Sequence, residues 1–166
     1  MMTEIYVGAG SNIEPERNLM GALNGLADTF GLLHLSPVYR NKAVGFEGDD
    51  FLNMVVRFDS DLDLAAVQAE LERIENENGR TRGGARFGPR SLDLDLLLFG
   101  DQVDEGENAI VPRNEITRYA FVLKPLADLC GDRPHPVSGT SFGQLWDEFD
   151  QEGHPLQTVE VSWVCD

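Results

Sequence analysis

Cysteine is scarce in this chain of 166 residues, which has Cys130 and Cys165 and no other. The two thiols are far apart, with neither a CxxC spacing nor a histidine in ligand spacing. We therefore expect unpaired thiols in a reducing compartment and no metal site built from them. No run of about eighteen apolar residues occurs, so a membrane span is not expected. The first ten residues lack a basic region followed by a long apolar segment, so no signal peptide is expected and a cytoplasmic location is predicted.

Basic residues are also few. Lysine occurs only at Lys42 and Lys124, and 13 basic residues face 29 acidic ones, for a formal net charge of -16. A chain this acidic would be repelled by nucleic acid and by anionic membranes, so neither is expected as a partner. The length and the ordinary apolar fraction predict a single folded domain over residues 1–166. We expect this domain to act as a monomer, although neither property decides the oligomeric state.

The arginines that are present gather in one segment. Arg80, Arg82, Arg86 and Arg90 fall between Glu77 and Asp93, and no acidic residue lies between those two. In an acidic protein, such a cluster indicates a site for a small and highly charged anion. A solvated loop paired with nearby glutamates is the alternative, and the cluster alone does not decide between the two.

Hydrophobic periodicity predicts an α+β fold. Two helices are expected, one from Pro15 to just before Gly31 and one after Asp63 as N-cap and ending at Gly79. The predicted strands cover Glu4–Val7, Leu33–Tyr39, Phe51–Phe58 and Leu92–Phe99. The order strand–helix–strand–strand–helix–strand is that of the ferredoxin-like βαββαβ core, with a mainly antiparallel sheet and helices packed on it. A C-terminal extension follows, with helices near Phe121–Leu129 and Phe142–Phe149 and a strand near Leu156–Val164.

The strongest local pattern is the pair Asp93 and Asp95. Residues two apart in a strand point to the same face, so both carboxylates project together. The alternating leucines Leu92, Leu94, Leu96 and Leu98 would all point to the other side, into a core. Two adjacent carboxylates repel unless a cation neutralises them, and oxygen ligands of this kind suit Mg²⁺ completed by phosphate oxygens. A solvent-facing strand is the alternative, but the neighbouring arginines favour a phosphoryl-transfer site.

Other phosphate-binding and catalytic patterns are missing. The chain has no GxxxxGK[ST] motif, and the segment Gly8-Ala9-Gly10 lacks the third glycine of a dinucleotide fingerprint. None of His34, His135 and His154 has a serine or cysteine in a nucleophile setting, so each is expected to be a surface or structural residue. Phe51 and Asn53 share one strand face and would suit a flat heterocycle, although for these two residues alone a core phenylalanine beside a capping asparagine is the better explanation.

Several motifs, in order along most of the chain, resemble the 6-hydroxymethyl-7,8-dihydropterin pyrophosphokinase family. They are Gly10-Ser11-Asn12, Val38-Tyr39-Arg40, Phe51-Leu52-Asn53, Arg73-Ile74-Glu75, Gly79-Arg80-x-Arg82, Arg86-Phe87-Gly88-Pro89-Arg90, Leu92-Asp93-Leu94-Asp95 and Ala120-Phe121-Val122-Leu123-x-Pro125-Leu126. The segment from Gly88 to Asp95 is the most specific of these. The resemblance implies transfer of pyrophosphate from ATP to the pterin hydroxymethyl group, with release of AMP.

The resemblance also implies roles for individual residues. Asp93 and Asp95 would hold two Mg²⁺ ions, and Arg80 and Arg90 would be catalytic arginines that close over the phosphates. The pterin would bind to Phe51, Asn53 and Phe121, and the nucleotide to Glu75, Arg82, Phe87, Arg90 and Leu96. The segments Gly45–Asp50 and Gly83–Phe87 would be moving lids that exclude water.

Two segments depart from the family pattern. After the second strand, the usual Thr-Pro-x-Leu-Gly is here Asn41-Lys42-Ala43-Val44-Gly45, at positions that serve the pterin largely through backbone groups. The second departure is the heavier one. Where the family usually has a histidine after proline and a basic residue before the phenylalanine, this chain has Pro112-Arg113-Asn114 and then Tyr119. Arg113 is expected to replace the missing charge at the nucleotide, with Arg118 as a second candidate. Three other interpretations stay open at this point: a degenerate paralogue that binds without turnover, an interaction module that docks an acidic partner, and an enzyme with another pterin-like acceptor.

Overall fold

The computed structural model describes residues 2–41, 50–78, 92–106 and 110–161. It confirms the predicted order of elements. The strands are β1 (Thr3–Ser11), β2 (His34–Leu35), β3 (Val38–Asn41), β4 (Phe51–Ser60), β5 (Asp93–Phe99), β6 (Asp104–Glu105), β7 (Ile110–Val111) and β8 (Gln157–Val159). The helices are α1 (Pro15–Phe30), α2 (Leu64–Glu77), a 3₁₀ turn (Asn114–Thr117), α3 (Ala120–Cys130) and α4 (Phe142–Asp147).

The main sheet has the strand order β5-β1-β4-β3-β8, and β2 also pairs with β4. All of its pairs are antiparallel. The core has four strands when β2 and β3 are counted as one. Across the sheet these lie in the order β5, β1, β4 and then β2 with β3, which is fourth, first, third and second in chain order. That order places the two connecting helices on one face, so the predicted ferredoxin-like α+β arrangement is confirmed, and β1 and β4 are the two central strands of the core.

One face of the sheet carries a continuous apolar core. Inward-facing residues of β1, β4 and β5 pack against α1 and α2, among them Ile5, Val7, Leu52, Met54, Val56, Phe58, Leu94, Leu96, Leu19, Leu26, Val67, Leu71 and Ile74. Two of the predicted helix ends are confirmed, while α2 ends at Glu77 and its predicted stop, Gly79, lies outside the described residues. The Asp63 carboxylate caps α2 by accepting a hydrogen bond from the Ala66 amide at 2.8 Å, and α1 ends at Gly31, whose φ of 85° suits glycine.

The other face carries a second apolar cluster that covers only part of the sheet. It joins Tyr6, Val55, Leu97 and Leu98 to buried residues of the 3₁₀ turn, α3 and α4. The expectation that Leu98 shares a face with Leu94 and Leu96 is therefore wrong. The pairing of β1 with β5 shifts between Tyr6 and Val7, and this irregularity turns Leu98 to the opposite side.

The predicted second strand, Leu33–Tyr39, is divided in the structure into β2 and β3. Between them, the Ser36 amide donates to the Val55 carbonyl at 3.0 Å, and the Ser36 hydroxyl accepts from the Val55 amide at 2.8 Å. Pro37 follows and has no amide hydrogen to donate, so regular pairing stops at this point. The serine side chain thereby takes over a bond that a regular strand would make with its backbone.

A charged cluster fastens the C-terminal extension to the sheet. The Glu4 carboxylate of β1 accepts hydrogen bonds from the Tyr6 hydroxyl at 2.6 Å, from Arg57 of β4 at 3.0 Å, and from Arg133. Burial and the Glu4 contact raise the pKa of Tyr6, and burial raises the pKa of the nearby free thiol Cys130 to about 11, so both stay protonated at neutral pH. The extension is therefore held by ion pairs as well as by its apolar contacts. None of the described helices has the length and apolar character needed to cross a membrane.

Candidate active site

The floor of the site is a set of residues aligned across β4, β1 and β5. Gly10 lies opposite Asn53 on one side and Asp93 on the other, and Gly8 lies between Val55 and Asp95 in the same way. The predicted carboxylate pair thus sits beside the predicted heterocycle-binding asparagine. Because neighbouring strands are about 4.8 Å apart, Asn53 and Asp93 are separated by about 9–10 Å between their Cα atoms.

Glycine at position 10 makes room for Asn53. A Cβ placed on Gly10 would lie 2.5 Å from Asn53 Oδ1, whereas a Cβ on Gly8 would lie 3.5 Å from the Leu97 side chain, an ordinary contact. Asn53 is only 9 % exposed, and its amide nitrogen donates to the side-chain oxygen of Asn41. The missing side chain at Gly10 therefore leaves the space that the Asn53 carboxamide occupies, and the bond to Asn41 holds it there.

A segment that follows β7 forms the opposite wall. It runs over the floor through the 3₁₀ turn into the start of α3, and together they enclose a cavity of about 190 Å³. The floor contributes Gly8, Ala9, Gly10, Asn53, Met54, Val55, Asp93, Asp95 and Leu97, and the wall contributes Arg113, Glu115, Tyr119, Phe121 and Val122. The predicted residues Asn53, Asp93, Asp95, Arg113 and Phe121 are therefore brought together in one cavity.

Arg113 lies between two carboxylates. Its Nη2 atom is 3.5 Å from Asp95 Oδ1, and its Nε atom forms an ion pair with Glu115. The Arg113 amide donates to the Leu97 carbonyl of β5 at 3.0 Å, which fixes the backbone beside the aspartates. All three charged side chains are between 35 % and 47 % exposed, so water screens these interactions only in part.

The donor set of the cavity fits magnesium bound together with a phosphorylated ligand. No group of three or more histidine, cysteine or acidic side chains suited to a metal occurs among the residues described by the structure. Asp93 and Asp95 supply two carboxylates, and Mg²⁺ typically uses one or two carboxylates with substrate phosphates and water for the rest. The two carboxylates make this part of the cavity favourable for a positive charge, and the Arg113 guanidinium supplies one to Asp95.

The aromatic end of the cavity is shared with a larger one. The rings of Tyr119 and Phe121 stack with their centroids 5.0 Å apart, and both residues line the second cavity of about 570 Å³. That cavity is bounded on its other sides by Arg40, Asn41, Asp50 and the segment from Gly153 to Gln157. The stacked pair therefore separates the space above the aspartates from the space beside β3.

Three predicted site residues lie outside the small cavity. Glu75 of α2 is buried, and its carboxylate accepts a hydrogen bond from the Leu94 amide at 2.8 Å. The Leu96 side chain is buried in the core on the opposite face from Asp95, so only its main chain is available to a ligand in the cavity. Phe51 begins β4, two residues before Asn53, and is partly buried.

Four further predicted residues, Arg80, Arg82, Phe87 and Arg90, lie outside the described residues, as do the lid segments apart from Asp50. The sequence interpretation missed Gly8 as a floor residue, and Glu115 and Tyr119 as wall residues. Glycines two apart within a strand are a signal of close approach that could have identified the floor. Glu115 and Tyr119 come from a connection whose path over the sheet no local pattern indicates.

Comparison with known proteins gives a consistent family. The family model described as 7,8-dihydro-6-hydroxymethylpterin-pyrophosphokinase (HPPK) matches residues 6–131. Relatives called 2-amino-4-hydroxy-6-hydroxymethyldihydropteridine pyrophosphokinase include those of Pseudomonas aeruginosa, 39 % identical with 80 % of this chain and 83 % of the relative covered, and Bacillus subtilis, 37 % identical with 89 % and 86 % covered. The relative from Haemophilus influenzae is 33 % identical, with 82 % of this chain and 88 % of the relative covered.

Solved structures agree on the fold. A crystal structure of an HPPK-DHPS protein in complex with substrates matches 92 % of this chain with a TM-score of 0.68 at 10 % identity. A Plasmodium falciparum HPPK-DHPS structure matches 89 % of the chain with a TM-score of 0.69 at 11 % identity. The chain spans under half of each of these longer proteins, 44 % and 43 %, so the likeness concerns one part of them.

Proposed function

The chain belongs to the 7,8-dihydro-6-hydroxymethylpterin-pyrophosphokinase family, and from this we propose that it transfers pyrophosphate from ATP to the hydroxymethyl group of 6-hydroxymethyl-7,8-dihydropterin. The products are AMP and the pterin diphosphate, an intermediate of folate biosynthesis. The observation that carries the proposal is the alignment of Asn53, Gly10 and Asp93 across three strands. In this alignment Asn53, which would read the edge of the heterocycle, and Asp93, which would bind metal, share one face about 9–10 Å apart.

The aspartate end would bind the triphosphate. Asp93 and Asp95 would hold Mg²⁺, with two ions expected, and these offset the phosphate charge and polarise the reacting oxygens. Arg113 lies beside Asp95 and would contact a phosphate oxygen. Arg80, Arg82, Phe87 and Arg90 remain predicted nucleotide or catalytic residues, and Glu75 and the main chain of Leu96 remain predicted nucleotide contacts.

The other end of the cavity would bind the pterin. Asn53 presents a carboxamide with a donor and an acceptor, which matches the mixed donors and acceptors along the edge of a pterin ring. Phe121 offers an aromatic face for stacking, and Phe51 would stack on the other side. Tyr119 supports the Phe121 ring by stacking on it, so it helps to fix the orientation of the heterocycle.

The reaction needs positioning and charge stabilisation more than a protein nucleophile. The pterin hydroxyl oxygen forms a bond to the β-phosphorus of ATP, and the bond from that phosphorus to the α,β-bridging oxygen breaks, so AMP leaves. The hydroxyl proton passes to Asp95 or to a phosphate oxygen. The arginines stabilise the negative charge that develops on the transferred group and on the leaving AMP.

Incubation of the protein with Mg²⁺, ATP and the hydroxymethyl pterin tests the proposal directly. We expect AMP and the pterin diphosphate to form in equal amounts, and both to be lost when EDTA is added. AMP without a pterin diphosphate would indicate another acceptor. Binding of both substrates without AMP would indicate the degenerate paralogue and would contradict the proposed activity.

Further properties belong to the same proposal. We propose that residues 1–166 form one domain that acts as a monomer in the cytoplasm and binds neither nucleic acid nor membranes, in keeping with the net charge of -16. Sedimentation at several protein concentrations would test the monomer. A mass that increases with concentration would contradict it.

A further inference from the structure

The guanidinium of Arg113 bridges an acid of the site floor and an acid of the wall. Its terminal nitrogen lies 3.5 Å from Asp95, while its Nε atom pairs with Glu115. The Arg113 Nε and Glu115 Oε2 atoms are buried, and within the described part of the chain neither has a hydrogen-bond partner, so their contact is an ion pair. One side chain thus supplies positive charge to two carboxylates, of which only Asp95 is a predicted metal ligand.

The backbone around Arg113 is firmly held, so only its side chain is free to change partners. The Arg113 amide donates to Leu97 at 3.0 Å, and its carbonyl accepts from the amide of Ile116, which is fully buried. The Arg113 side chain is 37 % exposed and faces the cavity. Movement of the guanidinium therefore requires no rearrangement of β5 or of the 3₁₀ turn.

We propose that Arg113 occupies the position of a cation at Asp95 in the empty enzyme and exchanges Asp95 for a phosphate oxygen when metal and nucleotide bind. This inference rests on the proposed function. Glu115 is the positioning residue for the exchange, because it remains paired with the guanidinium after Asp95 is taken by metal. An arginine left beside a metal without an acidic partner would repel it, and the Glu115 pair reduces that cost.

The exchange predicts opposite effects of one substitution on two ligands. Arg113→Gln removes the competing cation, so Mn²⁺ alone, measured by the electron paramagnetic resonance of the free ion, should bind about three- to tenfold more tightly to the metal-free protein. The same variant should bind the magnesium complex of α,β-methylene-ATP about tenfold more weakly, since a charge-assisted bond to phosphate is lost. Arg17→Gln, which makes the same change of charge at a side chain 80 % exposed on α1 and outside the cavity, is the control and should leave Mn²⁺ binding close to that of the parent protein.

Glu115→Gln provides the second arm. Without the Glu115 charge, Asp95 is the remaining acidic partner of the Arg113 guanidinium among the described residues and pairs with it more strongly. Mn²⁺ alone should therefore bind about two- to threefold more weakly. Arg113→Met, which keeps an unbranched stem, serves as a second variant if Arg113→Gln fails to fold, and it should shift both affinities in the same directions.

Three results would overturn the exchange. They are equal Mn²⁺ affinity in the parent and the Arg113 variants, no Mn²⁺ binding by either, and a change of the same sign for metal and for nucleotide. In that last case, tighter binding of both ligands would show that Arg113 only repels the metal and does not change partner. Formation of AMP by the parent protein is measured separately, so a protein that makes AMP but shows equal metal affinities contradicts this inference and leaves the proposed function standing.

Discussion

The two faces of the sheet differ in what the central strand β1 presents to them. Towards α1 and α2 it presents Ile5, Val7 and Ala9, all buried in one apolar core. Towards the other side it presents Tyr6, which belongs to the second apolar cluster, and then Gly8 and Gly10 beneath the cavity. One face of the strand is therefore filled along its length, while the other is filled at one end and open at the other.

This difference shows how one sheet can combine a stable core with an open cavity. The filled face fixes the register of β4, β1 and β5, because a slip of one residue would expose its apolar side chains. With the register fixed, the glycines on the open face leave a cavity bordered by side chains from the two neighbouring strands. Changes on the open face should alter activity, and changes on the filled face should alter stability.

The largest effect is expected at the open face, from Asp95→Asn. Because the carboxylate is a proposed metal ligand, turnover should fall by about a thousandfold or more. The melting temperature should change little, since the side chain is 47 % exposed. AMP formation and thermal unfolding measure the two effects. Asp101→Asn, at a side chain 83 % exposed in the turn after β5, is the control and should keep its turnover.

The filled face is tested by Leu96→Ala. Leu96 is 1 % exposed in the core, so its truncation should lower the free energy of unfolding by about 2–5 kcal/mol in urea denaturation. Leu32→Ala, at a side chain 78 % exposed, should lower it far less. ATP affinity of the folded Leu96 variant should be unchanged. A stable variant with weakened ATP binding would instead place the Leu96 side chain in the nucleotide site.

A smaller effect is expected from Gly10→Ala. The added methyl group would lie 2.5 Å from Asn53 Oδ1, so the carboxamide must move, and pterin affinity should fall about tenfold through a lost or distorted hydrogen bond. Gly8→Ala is the matched comparison on the same strand and face, and it should weaken pterin binding less. Titration calorimetry with the pterin measures both, and an equal loss for the two variants would show that Asn53 is not the cause.

The smallest effect, a change in the pH dependence of stability, is expected at His135. This residue lies next to Phe142 of the second apolar cluster, which covers one end of the open face. Its ring lies 5.8 Å from that of Phe142, and its Nδ1 atom accepts hydrogen bonds from the amides of Val137 and Ser138. Burial lowers the pKa of His135 from 6.5, so below that pH the unfolded chain takes up a proton more readily than the folded one. Stability should therefore be full above about pH 6.5 and decline as the pH falls through the folded pKa.

His135→Asn keeps an acceptor for the two amides but has no proton to take up. Its free energy of unfolding should decline less than that of the parent protein between about pH 7.5 and about pH 5. His34→Asn, at an exposed histidine, is the control and should follow the parent. Parallel pH profiles for the parent and the His135 variant would contradict the assignment.

Local patterns predicted the main helices and strands and the carboxylate pair, because the periods of strands and helices appear in neighbouring residues. They did not predict the short strands β6 and β7, the 3₁₀ turn or the division of the second strand into β2 and β3. The face shared by Asp93 and Asp95 followed from the period of two. The position of Leu98 could not be predicted in this way, since it depends on how β5 pairs with Tyr6 and Val7 of a strand far away in sequence. Glu115 and Tyr119 were not predicted for a related reason. They lie in the segment between β7 and α3, and only tertiary packing brings this segment over the sheet.

The hydrogen bond from the Leu94 amide to Glu75 has a consequence for the outer side of β5. β5 is an edge strand of the sheet, and a strand of another molecule can form hydrogen bonds to the unpaired backbone groups of such an edge. Glu75 already takes the Leu94 donor, and the Arg113 amide already takes the Leu97 acceptor. Glu75 and Arg113 thus hold β5 in place and also protect this edge of the sheet against the addition of a strand. Replacement of Glu75 would remove part of this protection and favour aggregation.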